Sequence, residues 1–454
     1  VFNGGPNRRG LYNTSYSNVG PRLGISYRVT DKLVVRSGYG IFFIPSYTGN
    51  GPADGFTQTT PIRGTQNFIP FDTLSNPVPN GILLPQGSAL GALQDVGQSV
   101  PAVRSARAST YLQQWMFGIQ YSIRNNDMVD ITYVGNRGIK LSAGGYERNM
   151  LNPQFFSLGS AALNQLVPNP FAGKLTSSGC QLQNAMVPRQ QLLRPFPHYC
   201  SVSDQAAPVG DSYYDALQMT YTHRFHAGFS VLASYTFSKF IDDVEGNNGW
   251  ANSGPTSIRN YYNLAAEKSV DGADIPHSLV VSYIYELPIG RGKTIGTHVN
   301  TPVDAVIGGW QVTGISTFKQ GFPLSIAPAN NTLGQYGGNR RPDIVGNIHV
   351  THPTIDKWFN TAAFQDPADP FSFGNSARYI STLRAPGYQN WDLSIQKYWR
   401  FSDIARLQFR AEMYNAFNRA NFYAPNQFSG SGAFGTIGNA FPARDTQFGF
   451  KFLW

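Results

Sequence analysis

The amino-acid sequence predicts an all-β protein built as an antiparallel transmembrane β-barrel. Three observations predict it: eleven segments alternate apolar and polar residues, the connections between them alternate short and long, and the last segment has an aromatic face. Composition agrees, because Gly and Pro supply 47 and 30 of the 454 residues and favour turns over helices. No apolar run reaches the roughly 18 residues that a membrane-crossing helix needs.

The eleven segments are each about nine to thirteen residues long, which a tilted strand needs to cross a bilayer. Successive side chains of a strand point to opposite faces, so a strand between lipid and water alternates in polarity. The pattern is clean in the sixth segment and weaker in the eighth, where Ile315 falls on the polar side. In order, the segments are 21–29, 32–44, 111–123, 127–136, 213–225, 228–240, 277–287, 309–319, 389–400, 404–416 and 445–454.

The last segment carries the clearest aromatic pattern. Phe448, Phe450, Phe452 and Trp454 lie two residues apart and therefore share one face of a strand. A chain that stops on an aromatic strand is typical of outer-membrane barrels, so we predict that these four residues form a carboxyl-terminal signal for barrel assembly. The alternative for these residues alone is a buried final strand of a soluble β-sandwich.

The connections distinguish the barrel from the sandwich. Tight turns at 30–31, 124–126, 226–227 and 402–403 alternate with long loops, and 288–308 has intermediate length. The long loops are 45–110, 137–212, 241–276, 320–388 and 417–444. Outer-membrane barrels place short turns in the periplasm and long loops outside, whereas a sandwich has no reason to do so. We therefore predict a protein of the bacterial outer membrane.

Strand parity predicts that residues 1–454 form one partial barrel domain. If the long loops are external, the last strand ends at the periplasmic side and the first strand begins outside. Single-chain bacterial barrels have an even number of strands, which eleven strands do not provide. We expect this chain to be the carboxyl-terminal part of a longer protein in which further strands precede it.

Several segments, taken in order, resemble the large TonB-dependent receptors of the Oar-like type that are abundant in acidobacteria. The resemblance implies a barrel of about 22 strands, of which this chain is the carboxyl-terminal half. It also implies a plug domain and other amino-terminal domains that precede this chain in the complete protein. The segments are Pro21–Gly24, Arg36–Gly40, Gln113–Trp115, Tyr133–Gly138, Leu287–Lys293, Gly309–Val312, Trp358–Phe364, Asn390–Leu393 and Phe409–Asn418.

This resemblance implies the partners of the protein. They are the lipid of the outer membrane, the plug domain of the same protein, the TonB complex through the amino-terminal part, and a large solute at the external loops. An oligosaccharide, a peptide or a siderophore would each suit such loops. The function implied is a receptor and transporter with energised uptake. The alternative is a surface adhesion or structural barrel without active transport.

Charged residues on the polar faces of the predicted strands are candidates for the barrel interior. A charge facing lipid at mid-bilayer costs about 2–4 kcal/mol, so these side chains should face water or the plug. For Arg406, Arg410 and Glu412, contact with the plug or substrate competes with ion pairing across the interior. The full set is Arg36, Asp130, Glu286, Asp392, Arg406, Arg410 and Glu412.

Two further constellations are weaker. Cys180 and Cys200 are the only cysteines and lie near no metal-ligand pattern, so we expect a loop disulfide, with two free thiols as the alternative. Asp242, Asp243 and Glu245 offer oxygen ligands for Ca²⁺, but their spacing does not match the EF-hand loop. A solvated acidic loop is the simpler interpretation, and we predict no resident metal or cofactor.

The sequence also argues against two classes of function. The net charge is +9, but Lys and Arg are scattered along the chain, so a nucleic-acid partner is not expected. No Gly-x-Ser-x-Gly elbow or His-Glu-x-x-His pair occurs, so we do not expect an enzyme. A soluble β-protein remains the third alternative.

Overall fold

Eleven long strands dominate the computed structural model. It describes residues 15–44, 56–60, 65–66, 69–70, 75–79, 81–87, 89–102, 108–143, 145–175, 179–204, 207–244, 258–402 and 404–454. The long strands are β1 Arg22–Arg28, β2 Leu33–Ile44, β3 Thr110–Arg124, β4 Asp127–Ala143, β5 Ala207–His226, β6 Phe229–Asp242, β7 His277–Glu286, β8 Trp310–Lys319, β9 Tyr388–Arg400, β10 Arg406–Tyr414 and β11 Asp445–Leu453.

These strands form one antiparallel sheet in which each strand pairs with its sequence neighbours, from β1 to β11. A twelfth, two-residue strand at Ser269–Val270 pairs with the end of β6. The all-β antiparallel fold and each of the eleven predicted segments are confirmed. Among the described residues, no helix is long and apolar enough to span a membrane.

Two strands are longer than predicted. The segments 127–136 and 213–225 lie within β4 and β5, which pair from His223 opposite Asp127 to Ala207 opposite Ala143. The register shifts around Gly210 in the added part. Alternation predicts only the portion that separates lipid from water, whereas backbone hydrogen bonding extends a hairpin beyond that portion. The alternation of polar and apolar residues therefore did not predict the added residues of β4 and β5.

The register separates the sheet into two faces. On β10 and β11, Leu407, Phe409 and Ala411 lie opposite Phe452, Phe450 and Phe448. We call this side the apolar face. Gln408 and Glu412 lie opposite Lys451 and Gln447 on the other side, the polar face. Because paired residues share a face, the register carries this assignment across all eleven strands.

The connections are long at one end of the sheet and mostly short at the other. At the short end, which we call the turn end, 29–32, 125–126, 227–228 and 401–405 join strands directly. Ala227 and Gly228 have φ of 50° and 84°, the positive values that a two-residue hairpin turn requires. The fifth connection there, 287–309, is longer and holds a short helix at Thr301–Ile307.

The long connections fold together at the opposite end, and we call them the loop cap. The cap contains helices α1 (Gly159–Asn164) and α2 (Arg189–Leu192) and short 3₁₀ turns at Gly91–Leu93, Pro153–Leu158, Leu264–Glu267, Gly334–Tyr336 and Thr361–Ala363. Besides Ser269–Val270, its short strands are Thr65–Gln66, Ile69–Pro70, Ser99–Ala102, Tyr146–Glu147, Leu166–Pro168, Met186–Pro188, Ser201–Asp204, Pro323–Leu324, Asp343–Ile344, Phe364–Gln365 and Ile380–Arg384. Helix α3 (Thr301–Ile307) lies at the turn end instead.

Hydrophobic cores lie in the loop cap. The largest joins the β8–β9 and β10–β11 connections, with Phe359 and Leu324 buried and Phe434 packed against them. A second joins the β4–β5 and β8–β9 connections through Leu151, Leu163 and Tyr336. Buried apolar area is the main stabilising term in folding. The long connections are therefore packed against one another and stabilised by these cores.

Candidate functional site: the polar face and the loop cap

All seven charged candidates lie on the polar face. Arg36 lies opposite Gly118, Asp130 opposite Gln120, and Glu286 opposite Gln311. Followed from strand to strand, the register puts these three residues on the same face as Arg410 and Glu412. The set spreads over five strands rather than forming one site. A role for these residues in contact with a plug or a substrate stays a prediction.

Three of the candidates share β10. The Arg410 guanidinium lies 3.5 Å from the Glu412 carboxylate, and Gln447 Nε2 donates to Glu412 Oε2 at 2.7 Å. Arg406 lies opposite Arg400 of β9. Glu412 offsets only part of the positive charge on this area of the polar face. Such an area suits contact with an acidic or polar surface of a partner.

The other candidates are held by polar neighbours on the same face. Arg36 donates to Gln120 Oε1 at 2.7 Å. Thr132 Oγ1 donates to Asp130 Oδ1 at 2.7 Å, and Lys293 lies 3.5 Å from Glu286. Asp392 Oδ1 accepts from Asn390 Nδ2 and from the Asn415 backbone N–H, both at 2.9 Å. These bonds orient each charge along the sheet.

Sequence reasoning missed a neutral cluster on the same face. Gln408 Nε2 donates to Gln396 Oε1 at 2.9 Å and to the Tyr398 hydroxyl at 2.8 Å. Tyr398 also donates to Gln396 Oε1 at 3.1 Å. Uncharged side chains are not found by a search for charged residues. Their alternation with Ile395, Lys397 and Trp399 would nevertheless have placed Gln396 and Tyr398 on the polar face, beside the charged candidates.

Buried ion pairs connect different segments of the loop cap. Glu267 lies between Arg259 Nε at 3.0 Å and Arg341 NH2 at 2.5 Å, and its side chain is fully buried. Burial raises the pKa of Glu267, but the positive charges of Arg341 and Arg259 outweigh burial and hold the pKa below its usual value. Burial lowers the pKa of Arg341 to about 10, so it stays charged at neutral pH.

Further arginines join other parts of the cap. Arg384 NH2 donates to Asp274 Oδ2 at 2.6 Å, and Arg340 lies 3.3 Å from Asp366. The first pair ties the β6–β7 connection to the β8–β9 connection across more than 100 residues of sequence. Such pairs fix geometry, because a buried charge without its partner is strongly destabilising.

The acidic group that suggested Ca²⁺ has protein donors. The Asp242 carboxylate pairs closely with Arg378, which is 1% exposed. Asp243 Oδ1 accepts the Asp211 backbone N–H at 2.7 Å, and Glu245 lies outside the described residues. Within the part of the chain that the structure describes, no group of three or more His, Cys, Asp or Glu is arranged to hold a metal.

The two cysteines lie in the loop cap. Cys180 and Cys200 are joined by a disulfide of 2.03 Å. Next to it, Gly179 N donates to Gly97 O at 2.9 Å and Cys200 N donates to Gln98 O at 3.0 Å. The disulfide region therefore also ties the β2–β3 connection to the β4–β5 connection.

The carboxyl-terminal aromatics lie on the apolar face. Phe450 packs on Phe409 with ring centroids 5.1 Å apart, and Trp454 stacks on Phe452 at 5.7 Å. Phe448 and Phe450 are among the most exposed aromatic side chains described. An exposed aromatic stripe of this kind suits lipid contact, and its role as an assembly signal stays a prediction.

The solved structures that this chain resembles are those of outer-membrane proteins. None of the curated proteins matches the chain. Among solved structures, it is similar to the ferripyoverdine receptor of the outer membrane of Pseudomonas aeruginosa, with a TM-score of 0.38 and 10% identity over 96% of this chain and 32% of that one. It is also similar to the outer membrane transporter YddB from Escherichia coli, with a TM-score of 0.40 and 8% identity over 96% of this chain and 40% of that one.

A third similar structure is the FrpB iron transporter from Neisseria meningitidis, with a TM-score of 0.39 and 10% identity over 95% of this chain and 39% of that one. The chain thus spans 32% to 40% of the length of these three structures. The family model described as an outer membrane beta barrel domain matches residues 1–447. The predicted location in the bacterial outer membrane is confirmed, and the chain belongs to the family of outer membrane beta-barrel domains.

Proposed function

We propose that this chain is the barrel portion of a TonB-dependent receptor of the Oar-like type. In this proposal the loop cap binds a large solute at the cell surface and the polar face lines the path by which the solute enters. The observation that carries the proposal is the loop cap itself, in which long connections from one end of the sheet share hydrophobic cores and buried ion pairs.

A packed cap suits recognition of a large solute. Ordering mobile loops on binding opposes affinity, and a surface that is already ordered avoids most of that cost. The cap joins segments that are distant in sequence, for example through Arg378 and Asp242. We therefore expect the solute to be an oligosaccharide, a peptide or a siderophore that contacts several loops at once.

The polar face supports a path next to a plug domain. It carries Arg406, Arg410 and the Gln396–Tyr398–Gln408 cluster, which would donate and accept hydrogen bonds to a plug or to a passing solute. We propose these residues and the other charged candidates as the plug-facing surface. The TonB complex would act through a plug domain and an amino-terminal segment of the same protein. We propose no catalytic role and no cofactor.

The two edges of the sheet support a larger barrel. Among the described residues, β1 pairs with β2 alone and β11 with β10 alone, so each edge strand leaves one row of backbone groups without a strand partner. An exposed edge is a template for pairing. We propose that residues 1–454 form one partial barrel domain whose edges pair with further strands of the same protein, near 22 in all by the family resemblance.

A surface adhesion or structural barrel is the second candidate, because a packed external cap serves adhesion equally well. The two differ in their need for energy. Cells that produce the complete protein would be given fluorescent oligosaccharides, peptides and ferric chelates, with and without a protonophore that de-energises the inner membrane. Internal label that is lost with the protonophore supports transport. Surface label that is unchanged, without internal label, supports adhesion and contradicts the transport proposal.

A further inference from the structure

One connection at the turn end differs from the rest. The segment 287–309 contains a small loop closed by a parallel bridge and then α3, whereas the other four turns at this end join their strands directly. Gly290 N donates to Ile295 O and Ile295 N to Pro288 O, both at 2.8 Å. Asn300 caps α3, since its side chain accepts from Val303 N at 3.1 Å. The segment is therefore an ordered unit.

The barrel residues that hold α3 lie on the apolar face. Trp310 of β8 lies opposite Lys397 of β9. Lys397 in turn lies opposite Phe409, and Trp399 opposite Leu407, both of which belong to the apolar face. Helix α3 is thus attached to the outside of the sheet, near the turn end.

Three side chains bind the carboxyl-terminal carbonyls of the helix. Trp399 Nε1 donates to Ala305 O at 2.8 Å, and Trp310 Nε1 donates to Val306 O at 2.9 Å. Lys397 Nζ donates to Gly308 O. The last carbonyls of a helix lack partners within it, and a positive charge near them is favourable. Side chains of the apolar face therefore cap the carboxyl terminus of this helix.

These contacts with the helix terminus explain why Lys397 is tolerated on a lipid-facing surface. Lys397 is only 2% exposed, and its Nζ lies 5.1 Å and 5.2 Å from the ring centroids of Trp310 and Trp399. A charged group on the lipid side of a barrel is costly unless it finds polar partners or reaches the interface. Two indole rings and a helix terminus provide those partners.

Helix α3 and the loop before it expose apolar side chains. Val303 and Val306 are 42% and 67% exposed, and Ile295 in the preceding loop is 57% exposed. Val303 and Val306 are three residues apart and so lie on one side of the helix. Arg291 and Lys293 are also exposed in the same segment. Exposed aliphatic residues beside Trp, Lys and Arg are typical of helices at a membrane interface.

We propose that the segment 287–309 is an interfacial anchor in which α3 lies at the boundary between headgroups and acyl chains of the phospholipid leaflet at the turn end. Val303, Val306 and Ile295 contact acyl chains, while Arg291 contacts lipid phosphates. The occupant is lipid because the helix continues the apolar face, which contacts lipid in an outer-membrane barrel. Since short turns face the periplasm in such barrels, this is the inner leaflet.

A nitroxide label tests this placement. Cys180 and Cys200 are joined, so Val306→Cys introduces a single reactive thiol. Asn125→Cys is the matched control, since Asn125 is exposed in a polar turn at the same end. Each labelled variant is made in the complete protein, with any cysteine outside residues 1–454 replaced by serine, and is reconstituted in vesicles of phosphatidylethanolamine and phosphatidylglycerol. Electron paramagnetic resonance then compares collisions of the label with oxygen, which concentrates in lipid, and with a water-soluble nickel chelate.

The proposal predicts that the oxygen-to-nickel collision ratio at position 306 exceeds that at position 125 by about fivefold or more. Equal ratios would overturn it, because α3 would then lie in water. Low access to both probes at 306 would also overturn it, because protein rather than lipid would cover the helix. Far-UV circular dichroism of both labelled chains checks that the sheet is intact, and both sites are exposed enough for substitution without repacking.

Discussion

Glu267 is the residue on which the packing of the loop cap depends most directly. Its fully buried carboxylate binds two arginines that come from different connections. Glu267→Gln keeps the shape but leaves both guanidinium groups without their carboxylate. We expect local stability of the cap to fall by about 3–5 kcal/mol, measured as faster hydrogen exchange of the amides in 258–267.

The control for that substitution is Glu412→Gln on the polar face. The Arg410–Glu412 side chains are 43% and 24% exposed, and solvent-exposed pairs contribute about 0–1 kcal/mol. We expect little change in exchange anywhere in the chain. Equal exchange in the two variants would contradict a structural role for Glu267.

The same residue gives the cap a pH dependence. The pKa of Glu267 is lower in the folded protein than in the unfolded chain, because the arginines outweigh burial. The folded state therefore favours the carboxylate, and its stabilisation is complete above the unfolded pKa and is lost as the pH falls through the folded value. Protection factors of the amides in 258–267, in which the intrinsic pH dependence of exchange is divided out, should stay constant near neutral pH and fall below about pH 4. The Glu267→Gln variant should lack this transition.

The sequence predicted residue types better than residue partners. It placed Arg410 and Glu412 on the polar side because alternation is local. It did not predict that Arg378 pairs with Asp242, since 136 positions separate them and only the packed cap brings them together. The acidic cluster at Asp242 and Asp243 therefore suggested a metal site, whereas both side chains have protein donors.

For the strands, alternation between the two faces is the testable property. Phe450 lies on the apolar face, and Gln447 of the same strand lies on the polar face, where it donates to Glu412. Phe450→Arg should destabilise the barrel by about 2–4 kcal/mol, because the guanidinium would face lipid. Gln447→Arg should cost little, because the new charge faces Glu412. Urea unfolding of both variants folded into lipid vesicles measures the difference.

Equal loss of stability in the two variants would contradict the assignment of faces. A larger loss for Phe450→Arg, together with less barrel in the outer membrane of cells, would also support the assembly role predicted for Phe448, Phe450, Phe452 and Trp454. Strand positions were predictable because the period of two is a direct consequence of strand geometry. The extensions of β4 and β5 were not, because hydrogen bonding beyond the bilayer needs no alternation.

The whole molecule combines a simple sheet with an elaborate cap. The order of the strands and the end at which the loops lie followed from the lengths of the connections alone. The interior of the cap did not, because its cores join connections that are far apart in sequence, such as Tyr336 with Leu151. Helix α3 also escaped prediction, since a seven-residue helix is too short for a clear periodic signal.

In the proposed orientation, the loop cap faces the outside of the cell and the turn end faces the periplasm. Labelling of intact cells with a membrane-impermeant maleimide tests it most directly, with Val345→Cys in the cap and Asn125→Cys at the turn end. Val345 is 56% exposed, so its thiol is accessible. We expect Val345→Cys to react in intact cells and Asn125→Cys to react only after the outer membrane is permeabilised. Reaction at Asn125→Cys alone in intact cells would contradict it.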